Sequence, residues 1–116
     1  MNQEKTCLPD FIIIGAQKCG TGALKYYLGE HPQIYMNQSE LHYFDRKRFF
    51  RQGIEFYSRF FPNPEAMQGE KTPKYICSLY CHERMYQAVP HARLILLLRN
   101  PCGQSLFCME SLQQKK

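Results

Sequence analysis

One stretch leaves this chain little choice of architecture: Pro9-Asp10-Phe11-Ile12-Ile13-Ile14-Gly15-Ala16-Gln17-Lys18-Cys19-Gly20-Thr21-Gly22. Its aromatic and β-branched run, without polar alternation, is what a strand buried on both faces of a parallel sheet requires. Three glycines then punctuate a tight turn. Thr21 to Gly29 follows as a helix, with Leu24, Tyr27 and Leu28 along one side. A strand, a glycine-rich turn and a helix start in immediate succession bring several backbone N–H groups to one point. The helix dipole adds positive potential there. Phosphate or sulfate is the ligand class such a nest holds.

The lysine placement narrows this further. The common triphosphate loop reads G-x-x-x-x-G-K-[ST]. Here Gly15 and Gly20 keep the glycine spacing and Thr21 follows, but the lysine sits inside the loop at Lys18. An ammonium there lies over the terminal group of the anion rather than at the helix mouth. Cys19 shares the loop's positive potential, although the position could equally need only a small side chain.

The remaining elements extend an α/β pattern. His31-Pro32 ends the first helix, and Gln33 to Met36 reads as a short strand. Ser39 to Phe44 reads as a strand or extended loop. Asp45 to Phe61 reads as one or two amphipathic helices broken near Gly53, and Pro62-Asn63-Pro64 as a loop. Gln68 to Thr72 is a strand end before the turn at Pro73, and a helix runs from about Ser78 to Ala88. Arg93 to Leu98 is the second strongly apolar strand. Pro101 suits the first turn of another helix, and Cys102 to Lys116 fades into polar residues. Alternating strands and helices predict a parallel sheet.

With 116 residues the chain is at most one domain, and short for a complete α/β enzyme. A net charge of +5 suits an anionic ligand. The basic residues between Arg46 and Arg59 are spaced as a solvated helix face, not as the continuous stripe that nucleic acid needs. The sequence contains no membrane-length apolar run, and the polar start Met1 to Lys5 does not resemble a signal peptide. As it stands, the chain reads as cytoplasmic. Six cysteines form no CxxC pair. Cys77, Cys81 and His82 lack a further ligand cluster, so buried or free thiols are expected rather than zinc.

At the end of the second apolar strand, where metal-using P-loop enzymes commonly carry an aspartate, stands Arg99. An arginine at the carboxyl edge of a parallel sheet suits bidentate capture of a second phosphate, without metal. Glu40 is the leading candidate for a base. If Ser39 to Phe44 is extended, Glu40 and His42 share a face, and either could take a proton from a hydroxyl or amine. Lys71, in the Gly69-Glu70-Lys71-Thr72-Pro73 turn, could meet donor or acceptor.

Five ordered blocks then carry a family resemblance: PDFIIIGAQKCGTGAL, HPQI, ELHYFD, GEKTPKY and LILLLRNP. Together, from about Lys5 to Pro101, they resemble the sulfotransferases, nearest to the heparan-sulfate N-/O-sulfotransferase type and its bacterial relatives. The resemblance implies a P-loop-type three-layer α/β fold with a central parallel sheet, incomplete relative to the family. It makes residues 1–116 a single partial domain, the donor-binding amino-terminal portion. It also implies 3′-phosphoadenosine 5′-phosphosulfate (PAPS) as sulfuryl donor, no metal, and a hydroxyl or amine acceptor, with saccharides among the candidates.

By the same resemblance, Gln17, Lys18, Cys19, Gly20, Thr21 and Gly22 hold the 5′-phosphosulfate, with Lys18 stabilising the leaving phosphate oxygen. Glu40 is the general base, Arg99 binds the 3′-phosphate, and Lys71 and His42 face the substrate. Two positions depart from the family, which after the RNP block carries an arginine and then a serine. Those places hold Gln104 and Phe107. The family's domain is also more than twice this long. The alternative reading is therefore a truncated, inactive protein that binds PAPS or its 3′,5′-bisphosphate product. A fragment of an anchored enzyme would act in the Golgi lumen.

Overall fold

The computed structural model describes residues 7–98 in full, together with the backbone of residue 99 and of 105–111. Five strands form one sheet in the order β2-β3-β1-β4-β5. They are β1 (Phe11–Gly15), β2 (Ile34–Met36), β3 (Met67–Lys71), β4 (Arg93–Arg99) and β5 (Ser105–Ser111). The first four pair in parallel, and β5 adds antiparallel to β4 with Arg99 opposite Ser105. Helices α1 (Thr21–Gly29), α2 (Lys47–Phe50), α3 (Ile54–Ser58) and α4 (Leu79–Ala88) cover it, with a 3-10 turn at Pro73–Cys77.

β1 is the central strand, and all five of its residues are buried. Its side chains alternate between two cores, as the pleat dictates. Phe11 and Ile13 join Met36 and Ile95, over which Leu24 and Leu28 of α1 pack. Ile12 and Ile14 join the larger core on the opposite face, with Phe44, Tyr57, Phe61, Tyr75, Cys81 and Met85. The three layers follow from this alternation.

The bounds of the first helix are those the sequence predicts, and Asp45 to Phe61 does divide into two short helices around Gly53. The larger core is unusually aromatic there: Tyr43 stacks on Tyr57 with ring centroids 4.3 Å apart, and Phe44 meets Tyr75 edge-on at 5.5 Å. Gly69 in β3 has a steric role, because a Cβ there would stand 2.3 Å from the Phe11 ring.

Of the strand or extended loop expected at Ser39 to Phe44, the structure has the loop, bent at His42 with φ 55°. Ser105–Ser111, read as a polar tail without a recognisable unit, instead pairs antiparallel with β4 as β5, while the helix start expected at Pro101 lies outside the described residues. The short apolar run Leu106-Phe107-Cys108-Met109 suits a strand beside apolar β4.

Candidate anion loop and acid–base cluster

The loop leaves β1 at the carboxyl edge of the sheet, flanked by the carboxyl ends of β3 and β4. The Ala16 N–H donates to Leu97 O at 2.9 Å, which fastens the loop's start to β4. The Cys19 N–H returns to Ala16 O at 3.3 Å, closing a turn in which Lys18 takes φ 64°. Gly20 caps α1 at φ 92°, a left-handed conformation that a side chain would strain. No side chain caps α1 among the described residues, and its first turn carries no acid. The amino end of the helix thus keeps N–H groups and positive potential for a ligand. Thr21 is buried, Cys19 half-buried, and Gln17, Lys18, Gly20 and Gly22 are exposed.

The second part of the site gathers beside this loop. Ile13 of β1 is in register with Lys71 of β3, and the Thr72 N–H donates to Ile13 O at 3.1 Å. Lys71 therefore emerges next to the strand that feeds the loop. Its Nζ donates to Glu40 Oε2 at 3.0 Å. Glu40 Oε1 lies 3.7 Å from His42 Nε2, and His42 Nδ1 lies 3.0 Å from the Asp45 carboxylate. A carboxylate only accepts, so Nδ1 carries the hydrogen and Nε2 faces Glu40. Lys71, Glu40, His42 and Asp45 form one chain of contacts, with Glu40 the most exposed member at 39%. Such a row can take a proton from a bound group while its base stays fixed from both sides.

Beneath the row lies a group with no counterpart in the sequence reading. Glu70 is fully buried. Its Oε1 accepts from Thr72 Oγ1 at 2.7 Å, and its Oε2 accepts from the hydroxyls of Tyr75, at 3.0 Å, and Tyr57. Burial pushes the carboxyl up to about 6, opposed by those three hydroxyl donors and by nearby His42. Tyr57 and Tyr75 are raised well above the ordinary phenol range, chiefly by burial and then by the Glu70 charge.

Of the predicted residues, then, Gln17 to Gly22 form one loop, and Glu40, His42 and Lys71 meet in one cluster. The backbone of Arg99 ends β4 at the same sheet edge, while its side chain lies outside the described residues. Gln104 also lies outside them, and of Phe107 only the backbone is described, opposite Leu97. Asp45 was missed, although its place three residues after His42 was a usable signal. Among the described residues no group of three His, Cys, Asp or Glu side chains could hold a metal ion.

A glycine-rich loop between strand and helix at the carboxyl edge of a parallel sheet, with helices on both faces, is the architecture of a P-loop-like α/β domain. Comparison with known proteins makes the class specific. The chain is 38% identical to the membrane-associated sulfotransferase kil1 of Dictyostelium discoideum, over 95% of this chain and 25% of that protein. It is 34% identical to the bifunctional heparan sulfate N-deacetylase/N-sulfotransferase 1 of Caenorhabditis briggsae, over 98% of this chain and 14% of that one. To the mouse heparan sulfate glucosamine 3-O-sulfotransferase 5 it is 34% identical, over 85% and 29%.

The crystal structure of a sulfotransferase from Alicyclobacillus acidocaldarius superposes with a TM-score of 0.67 at 34% identity, covering 82% of this chain and 46% of that one. No protein-family model matches. The chain belongs to the sulfotransferase family, and it spans between about a seventh and a third of the length of these curated relatives.

Proposed function

We propose that this chain is the donor-binding portion of a sulfotransferase domain. It holds PAPS at the loop 16–22 and passes the sulfuryl group to a hydroxyl or amine acceptor, a saccharide being the favoured class. The observation that carries this reading is the pairing of Glu40 with Lys71, 3.0 Å apart, next to the strand that feeds the loop. Loop and base thereby stand on one edge, as an in-line displacement between donor and acceptor requires.

The acceptor's oxygen or nitrogen attacks sulfur, and the bond from sulfur to the bridging phosphate oxygen breaks. Glu40 takes the acceptor's proton. Lys18 and the N–H groups at the start of α1 stabilise the charge left on the phosphate. Lys71 and His42 orient Glu40 and meet the acceptor's polar groups. Arg99 is assigned the 3′-phosphate. A glycan acceptor places the reaction in the Golgi lumen as part of an anchored protein, and a small alcohol or amine places it in the cytoplasm. Among the described residues no helix is long and apolar enough to cross a membrane. Gln104 and Phe107, where the family carries arginine and serine, favour a second reading in which the chain binds the nucleotide without turnover.

Calorimetric titration with 3′,5′-adenosine bisphosphate tests donor binding. Binding that disappears in Lys18→Ala and in Arg99→Ala supports both readings. Binding only of ATP, and only with Mg²⁺, overturns both. Radiolabelled sulfuryl transfer to a panel of glycans, small alcohols and amines then separates the enzyme from the binder.

A further inference from the structure

The segment carrying Glu40 and His42 has little regular structure of its own, so something else must fix it. It follows β2 as irregular chain, and its backbone is gripped from the Glu70 side. The Tyr43 N–H donates to Tyr75 Oη at 3.1 Å, and the His42 N–H approaches Thr72 Oγ1 at 3.5 Å. The Tyr43 ring lies against that of Tyr57. Thr72, Tyr75 and Tyr57 are the three residues whose hydroxyls converge on Glu70.

This convergence fixes a direction. A hydroxyl has one proton and two lone pairs. An ionised carboxylate can only accept, so each of the three hydroxyl protons points at Glu70. The lone pairs of Thr72 and Tyr75 are then left facing outward, where the amides of His42 and Tyr43 donate. A neutral group in place of the carboxylate offers a donor of its own. One hydroxyl proton must then turn away from it, toward an amide N–H. In a site closed to water such a mismatch is costly.

We propose that Glu70 is a positioning residue: by orienting the hydroxyls of Thr72 and Tyr75 as acceptors, its buried carboxylate seats the His42–Tyr43 backbone and so holds Glu40 against Lys71. Its importance for transfer rests on the sulfotransferase reading, whereas the seating itself does not. The groups facing Glu70 are Tyr57 from α3, Tyr75 from the 3-10 turn, Thr72 after β3, and His42 from the segment it seats. Burial holds the carboxyl at about 6, so its loss of charge falls within a range the folded protein can be titrated through.

The test is amide hydrogen exchange and chemical shift, read by NMR on the full 15N-labelled chain. In Glu70→Gln the Tyr43 amide is expected to exchange about tenfold faster or more, while amides of β1 and α1 keep their rates. Tyr75→Phe reproduces the effect at Tyr43. Thr72→Val acts at His42, and Thr72→Ser, which keeps the hydroxyl, restores it. Tyr75→Phe, which leaves the Glu70 carboxylate in place, decides the matter if Glu70→Gln fails to fold.

Unchanged Tyr43 and His42 amides in folded Glu70→Gln, or an unchanged Tyr43 amide in Tyr75→Phe, overturn the inference. In a transfer assay kcat falls while the affinity for 3′,5′-adenosine bisphosphate and the acceptor KM hold. A fall in nucleotide affinity instead assigns Glu70 a general structural role and overturns positioning. Amide responses without turnover in the unmodified protein defeat the sulfotransferase reading and leave the seating intact, and turnover without amide responses does the reverse.

Discussion

The anion loop and the acid–base cluster stand side by side yet are built on opposite principles. The loop is mostly local: strand, turn and helix lie within residues 11–29 and the Cys19 N–H closes the turn on Ala16 O, with the Ala16 N–H tied to Leu97 of β4. The cluster is assembled at long range, with Glu40 meeting Lys71 across 31 positions and Tyr43 meeting Tyr75 across 32. The loop needs only β1 beside β4 to take its shape. The cluster exists only when β3 has docked on β1 and the aromatic core has closed. Binding and turnover should therefore be separable by mutation.

The largest effect tests that separation directly. Glu40→Gln is expected to lower kcat by about 10²–10⁴-fold, the usual contribution of a positioned base, with nucleotide affinity unchanged by calorimetry. An equal loss of affinity would merge the two regions. Lys18→Ala is the converse, expected to cost about 10²–10³-fold in rate as lost transition-state charge stabilisation, together with nucleotide affinity. Circular dichroism should show the fold intact, because Lys18 is exposed.

Gly69→Ala strikes the seam between the regions. Its new methyl would meet the Phe11 ring at 2.3 Å, and overpacking of this kind costs about 1–3 kcal/mol. Denaturant unfolding should show the loss, with the Glu40–Lys71 contact disturbed more than the loop.

The mildest effect is a pH dependence. Glu70 moves from an ordinary 4.5 to about 6 on folding, so the native state binds its proton more tightly than the unfolded chain. The resulting stability is fully present below about pH 4.5 and is lost as pH rises through about 6, a change of about 2 kcal/mol. The difference in unfolding free energy between the native protein and Glu70→Gln should follow that curve. A flat difference would mean that Glu70 binds its proton equally well in the folded and unfolded chains.

The same contrast decides what the sequence could reveal. Local elements were legible, because apolar runs and glycine spacing act on near neighbours: β1, α1, the break near Gly53 and α4 all fall close to where the residues put them. Glu40, His42 and Lys71 were each recognisable through their motifs, but nothing in their spacing gave the Glu40–Lys71 contact. Glu70 was least legible. Met67-Gln68-Gly69-Glu70-Lys71 carries no apolar signal of burial, yet Gln68 and Glu70 are both buried: Gln68 Oε1 accepts from the Asn63 N–H, and the hydroxyls of Tyr57, Thr72 and Tyr75 satisfy Glu70. β5 was missed for a related reason, since its strand is set by pairing with β4 rather than by a local pattern.

The convergence of phenols on Glu70 also has an optical consequence. The chain has eight tyrosines and no tryptophan, so its ultraviolet emission is not masked by indole. Two of those phenols donate to one buried carboxylate, an arrangement that quenches tyrosine emission in its excited state. The protein therefore carries its own dark reporter at the centre of the larger core. Brightening on mild denaturation would mark the moment the phenols part from Glu70, without a label.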